Sequence, residues 1–103
     1  MFVARWQIDA RFGHKQDVID LAQRWLRDVG RKAGTDKMDV KILTGSIGAR
    51  EATVEVNHAV ESIAQLEGFF ETIGKIDAHR QWGKDLEPYV VSGSAVWNIY
   101  RVL

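Results

Sequence analysis

Residues 2–12 alternate, with Phe2, Ala4, Trp6, Ile8, Ala10 and Phe12 on one parity and Arg5, Gln7, Asp9 and Arg11 on the other. Period two is the signature of a strand with one face buried and one face wet. Gly13 ends the pattern and the period changes at once. Val18, Leu21, Ala22, Trp25, Leu26, Val29 and Ala33 recur three and four apart, with charges between them, and predict a helix over residues 14–31. Gly30, Gly34 and Thr35-Asp36-Lys37 supply its stop and a loop. A chain that opens this way has to lay an amphipathic helix on one face of a sheet.

The rest of the chain repeats the alternation of element types. Residues 38–47 are rich in β-branched side chains, residues 45–51 suit a hairpin connection, and residues 52–59 set Val54, Val56 and His58 against Thr53, Glu55 and Asn57. A second long helix is expected over residues 61–84, on Ile63, Leu66, Phe69, Phe70, Ile73 and Ile76, before Gly83 and Pro88 disturb the pattern. After Ser92-Gly93, residues 94–103 form a last strand. The order βαββαβ predicts one α+β domain over residues 1–103. It is a ferredoxin-like, four-stranded antiparallel sheet with both helices on one face, because right-handed crossovers place them on the same side. The first and third strands are then central. Trp6, Ile8, Val54 and Val56 face the helices, and Arg5, Gln7 and Asp9 lie beside Thr53, Glu55 and Asn57 on the far face.

Charge and composition remove several function classes. Fourteen Lys and Arg balance fourteen Asp and Glu across 103 residues, so the basic excess that condenses on nucleic acid or anionic membranes is missing, and neither is an expected partner. The chain has no cysteine, which excludes disulfides, thiolate nucleophiles and cysteine-held zinc or iron. No apolar run reaches the roughly 18 residues of a membrane span, and Met1-Phe2-Val3-Ala4-Arg5 does not read as a signal-peptide start, so a cytoplasmic location is expected. His14, His58 and His79 stand on separate elements, without metal-ligand spacing, so no metal is expected. Gly45-Ser46-Ile47-Gly48 joins two strands instead of opening a helix and suits a turn better than a phosphate loop.

The last strand, on a sheet edge, has bulky residues on both parities: Trp97, Ile99 and Leu103 against Val96, Tyr100 and Val102. The second strand sets Leu43 beside Val40 and Ile42, with Ile47 beyond. Both patterns call for a cover over the face away from the helices, and a symmetric homodimer supplies one.

Three stretches resemble the dimeric α+β barrel superfamily: Val3-Ala4-Arg5-Trp6-Gln7-Ile8 leading into the first helix, Ala52-Thr53-Val54-Glu55-Val56-Asn57-His58 before a Ser-containing helix start, and Leu86-Glu87-Pro88-Tyr89 followed by Val96-Trp97-Asn98-Ile99-Tyr100-Arg101-Val102. With Ala78-His79-Arg80-Gln81-Trp82 before the leucine-proline turn, the chain is most similar to the antibiotic-biosynthesis-type monooxygenase and NIPSNAP-like branches. The resemblance implies a homodimer with a ligand cleft between helices and sheet. Haem-degrading members carry an Asn on the first strand and an axial His on the second helix. This chain has Ala4, Trp6, Ile8 and Ala10 at the helix-facing first-strand positions, so no cofactor is expected, His79 being the one residue able to serve as an axial ligand.

The cleft candidates are Trp6, Trp25, Phe70, Trp82, Tyr89 and Asn98 for binding a small apolar or aromatic molecule, and His58 or His79 as the base. A neutral imidazole that titrates near physiological pH can take a proton from a phenol or an acidic carbon, which is what a cofactor-independent monooxygenase requires. Asn98 would orient an anionic oxygen. The competing reading is a non-catalytic dimeric binding or stress-associated protein, in which the imidazoles are hydrogen-bonded structural residues and Trp6, Trp25 and Phe70 fill the core.

Overall fold

A computed structural model describes all residues, Met1–Leu103. The elements are β1 (Phe2–Asp9), α1 (Lys15–Asp28), β2 (Asp39–Thr44), β3 (Thr53–Val60), α2 (Ile63–Gly74), α3 (Asp77–Leu86) and β4 (Val96–Arg101), with 3₁₀ turns at Gly30–Ala33, Thr35–Lys37 and Glu87–Tyr89. The sheet is antiparallel in the order β2-β3-β1-β4. As expected, β1 and β3 are central.

Register decides which side chains meet. Trp6 stands opposite Val56 on one side and Trp97 on the other, and Ala4 stands between His58 and Ile99. All of these project toward the helices, where Ala4, Ile8, Val54, Val56 and Val60 are buried with Val18, Ala22, Trp25 and Val29 of the first helical region and Leu66 and Phe69 of α2. The opposite parity forms the far face. There Arg5 pairs with Asn57 and Asn98, and Gln7 pairs with Glu55 and Val96. Gln7 donates to the Glu55 carboxylate, and Thr53 Oγ1 donates to Asp9 over 2.9 Å.

Four expectations need correction. The second helix is not continuous over residues 61–84: it breaks after Gly74, Ile76 is extended (φ −95°, ψ 117°), and α3 starts at Asp77. Apolar spacing runs on through Ile73 and Ile76, so it hides the break. Gly74 weakens the helix there, and acidic Asp77 suits a new N-terminus. Gly83 stops nothing, since α3 continues to Leu86 and Pro88 occupies the following 3₁₀ turn. β1 ends at Asp9, where Ala10 makes a lone bridge to Val90, and Phe12 is fully exposed. β2 ends at Thr44, and Ile47 sits 99% exposed in the connection to β3. That connection is the expected hairpin turn, and Gly45 is required in it: a Cβ there would stand 1.7 Å from Arg50 O. No helix is long and apolar enough to cross a membrane.

Candidate functional site

A cavity of about 240 Å³ lies between the sheet and the helices. All four tryptophans of the chain line it, together with two of its three histidines: Trp6, Trp25, Trp82, Trp97, His58 and His79. Ala22, Val56 and Ile73 complete the wall, and no Lys, Arg, Asp or Glu takes part. The six rings arrive from five elements, β1, α1, β3, β4 and, for both His79 and Trp82, α3. The cavity therefore depends on the whole topology.

Several devices fix the rings. The Trp82 indole donates to the Leu21 carbonyl of α1 over 2.7 Å, and Arg24 of α1 meets Asp85 of α3 at 2.7 Å. That guanidinium holds the Asp85 carboxyl below the usual carboxylate range. These links dock α3, which carries His79 and Trp82, onto α1. Trp25 packs edge-on against Phe69, His79 and Trp82, with centroids 5.9, 6.1 and 6.2 Å away. Gly30 lets the 3₁₀ turn pass close to the Trp25 ring, since a Cβ at that position would lie 3.0 Å from its Cζ3 and 2.8 Å from Thr35 Oγ1. Trp6 and Trp82 stand 6.0 Å apart.

The imidazoles differ in their surroundings. His58 is 2% exposed and lies 5.3 Å from Phe69 and 5.5 Å from Trp97. Its Nδ1 faces the Ala4 carbonyl at 3.4 Å, a long hydrogen bond, and its buried Nε2 has no partner. Burial pushes its pKa down from 6.5, against the backbone carbonyls of Ala4 and Val56, which favour the charged form. His79 stacks on Trp82 at 6.2 Å with 17° between the planes. Its Nδ1 accepts from the Trp25 indole at 2.9 Å, and burial lowers its pKa as well. Both rings are neutral at pH 7.

Of the residues named from sequence, the fold brings together Trp6, Trp25, Trp82, His58 and His79. Phe70 stands one layer behind, against Trp97 with centroids 5.0 Å apart. Tyr89 lies outside the cavity, packed on His14 at 5.2 Å. Asn98 is on the wrong face: it pairs with Arg5, one residue out of phase with Trp97, so its amide cannot reach the cavity. Trp97 belongs to the site instead. Sequence spacing did not single it out, and its parity with Trp6 becomes visible only once β1 and β4 are in register.

His79 does not fit an axial haem ligand. The Trp25 indole can only donate, so Nδ1 of His79 must accept and the proton of the neutral ring sits on Nε2, the atom that would have to bind iron. No three His, Asp or Glu side chains cluster where a metal ion could be held.

No protein-family model matches the chain, and no curated protein matches it. Solved structures do resemble it. An uncharacterised NIPSNAP-domain protein from Burkholderia xenovorans aligns with TM-score 0.78 at 12% identity, over 100% of this chain and 95% of that one. A NIPSNAP family protein from Agrobacterium tumefaciens gives 0.74 at 13% identity, over 99% and 92%. A protein from Nitrosomonas europaea, provisionally named an antibiotic biosynthesis monooxygenase, gives 0.71 at 13% identity, over 100% and 99%. The chain thus has the ferredoxin-like α+β fold of these proteins, as its sequence resemblance implied.

Proposed function

We propose that the protein binds a small aromatic molecule in the tryptophan-lined cavity, and that His58 acts there as the base of a cofactor-independent monooxygenase. The observation that carries this reading is the buried, unpartnered Nε2 of a neutral His58 in the wall of an aromatic cavity. A buried polar atom without a partner is costly and uncommon in a finished core. A ligand hydroxyl or an acidic C–H would meet it. Proton removal from a methylene beside an aryl ring and a carbonyl gives a carbanion able to reduce O2 directly. One oxygen atom then becomes a new carbonyl and the other leaves as water. The Nitrosomonas europaea neighbour's name is compatible with this chemistry.

The test is oxygen uptake with a two-ring ketone that has such a methylene, 2-tetralone. We expect one O2 consumed per ketone, and a rate at least about 10²-fold lower in His58→Phe. Uptake that is unchanged in His58→Phe would overturn the assignment of the base. Binding without any uptake would favour the second reading, a non-catalytic binding protein, which rests on Trp25 and Phe69 also being members of the buried core.

We also propose that the protein works as a homodimer joined through the far face of the sheet. Arg5 Nε and Asn57 Oδ1 are buried there without partners, while Leu43, Val96, Tyr100 and Val102 are exposed around them. The face carries both charge signs, with Arg5 and Lys41 near Glu55 and Asp39. A two-fold axis can therefore set each sign against its opposite.

A further inference from the structure

We propose that Trp25 is a positioning residue: by donating its indole N–H to His79 it fixes that imidazole as an Nε2–H donor, opposite in sense to His58. The pair then selects uncharged ring molecules that bring one proton donor, a hydroxyl or an acidic C–H, and an acceptor oxygen. This rests on the reading of the cavity as a ligand site.

Indole has one N–H and no acceptor, so the 2.9 Å contact from Trp25 to Nδ1 of His79 can run in only one direction. Nδ1 of His79 is then bare, the neutral ring carries its proton on Nε2, and no group of the protein accepts from that Nε2–H. His58 has the reverse arrangement. Its Nδ1 faces a carbonyl, which can only accept, so Nδ1 carries the proton and Nε2 presents a lone pair that nothing in the protein uses. Both rings belong to the cavity lining, one with an unused acceptor and the other with an unused donor. The low pKa values of the two rings keep this asymmetry in place at pH 7.

The remaining wall narrows the ligand further. Without a Lys or Arg in the lining, a carboxylate or phosphate would lose its hydration with no counter-charge. A cavity of about 240 Å³ falls below the roughly 300–1,000 Å³ of drug-sized sites and suits one or two rings. Tryptophan faces also attract quaternary ammonium ions, but tetramethylammonium has no hydroxyl to give His58.

Nitrogen NMR of the imidazoles reads the tautomers directly. We expect Nδ1–H on His58 and Nε2–H on His79, and Nδ1–H on His79 would overturn the proposal. Calorimetry with five probes reads the selectivity: 2-naphthol, 2-methoxynaphthalene, naphthalene, 2-naphthoate and tetramethylammonium. We expect 2-naphthol to bind about tenfold tighter than naphthalene or 2-methoxynaphthalene, the ratio that one good hydrogen bond supplies. The naphthoate and tetramethylammonium should bind far more weakly than 2-naphthol. In Trp25→Phe the N–H is lost, so His79 should become a tautomer mixture and the ratio of 2-naphthol to naphthalene affinity should shrink several-fold; an unchanged ratio would overturn the role given to Trp25. Equal binding of naphthalene and 2-naphthol would overturn the donor–acceptor pair yet leave the cavity as a ligand site. No binding by any probe would overturn both. If Trp25→Phe fails to fold, the wild-type tautomers and probe series still decide.

Discussion

At the scale of single residues, two imidazoles are kept neutral by burial. The folded chain holds His58 and His79 below their ordinary pKa of 6.5, so the unfolded chain binds more protons as the pH falls past that value. Their neutral forms therefore support stability fully above about pH 6.5, and that support is lost progressively as the pH drops toward the folded-state values. Urea melts at about pH 7.5 and about pH 5.5 should show a lower midpoint at the acid end, with a smaller difference in His58→Phe. A midpoint difference as large in His58→Phe as in the wild type would contradict the role given to His58. Phe69 is the floor beneath both His58 and Trp25 and is 2% exposed. Phe69→Ala should cost about 3–5 kcal/mol in denaturant melts. The sequence made the inward direction of His58 legible through its parity with Val54 and Val56. The tautomers were not legible, because they are set by Ala4 and by Trp25, partners 54 residues away in each case.

At the scale of elements, strand parity was the most legible property and helix continuity the least. Alternation placed Trp6, His58 and the Arg5 row on their correct faces, whereas the single residue of phase between Trp97 and Asn98 put one in the site and the other on the far face. The break between α2 and α3 was hidden because side chains at helical spacing continue across it. It matters for the site, since α3 is turned onto α1 and brings His79 and Trp82 against Trp25. The start of α2 is fixed by Ser62, whose Oγ accepts from Gln65 N at 3.1 Å, while Gln65 Oε1 accepts from Glu61 N at 2.7 Å. Ser62→Ala should lose about 1 kcal/mol and lower Tm by about 4–8 °C in a domain of this size, read by calorimetry. Gly30→Ala should cost about 1–3 kcal/mol, because the added methyl meets the Trp25 ring and Thr35. It should also shift the Trp25 indole resonance, which Ser62→Ala should leave in place.

At the scale of the whole molecule, a cavity whose rings come from five elements explains why the fold could be read from the chain but the site only in part. Periodicity reports which face a side chain occupies. It does not report that the rings of β1, α1, β3, α3 and β4 converge, because that follows from register and from the docking of α3. Only 17 of 103 residues are buried in the single chain, and the far-face residues of β4, Val96, Asn98 and Tyr100, are exposed, which agrees with the proposed pairing of far faces. Sedimentation should give twice the 11.7 kDa chain mass, and Tyr100→Glu, which places a carboxylate on that face, should shift the protein toward monomer. A wild-type monomer would contradict the pairing. Whether the tryptophan cavity takes up an aromatic ligand is read from the four indole N–H resonances of the chain. Titration of the protein with 2-naphthol, followed by 1H–15N NMR, should move all four. Trp6 and Trp97 should move furthest, because their N–H groups have no protein partner, whereas those of Trp25 and Trp82 are held by His79 and Leu21. Saturable binding of 2-naphthol that leaves the four indole resonances unmoved would contradict the account.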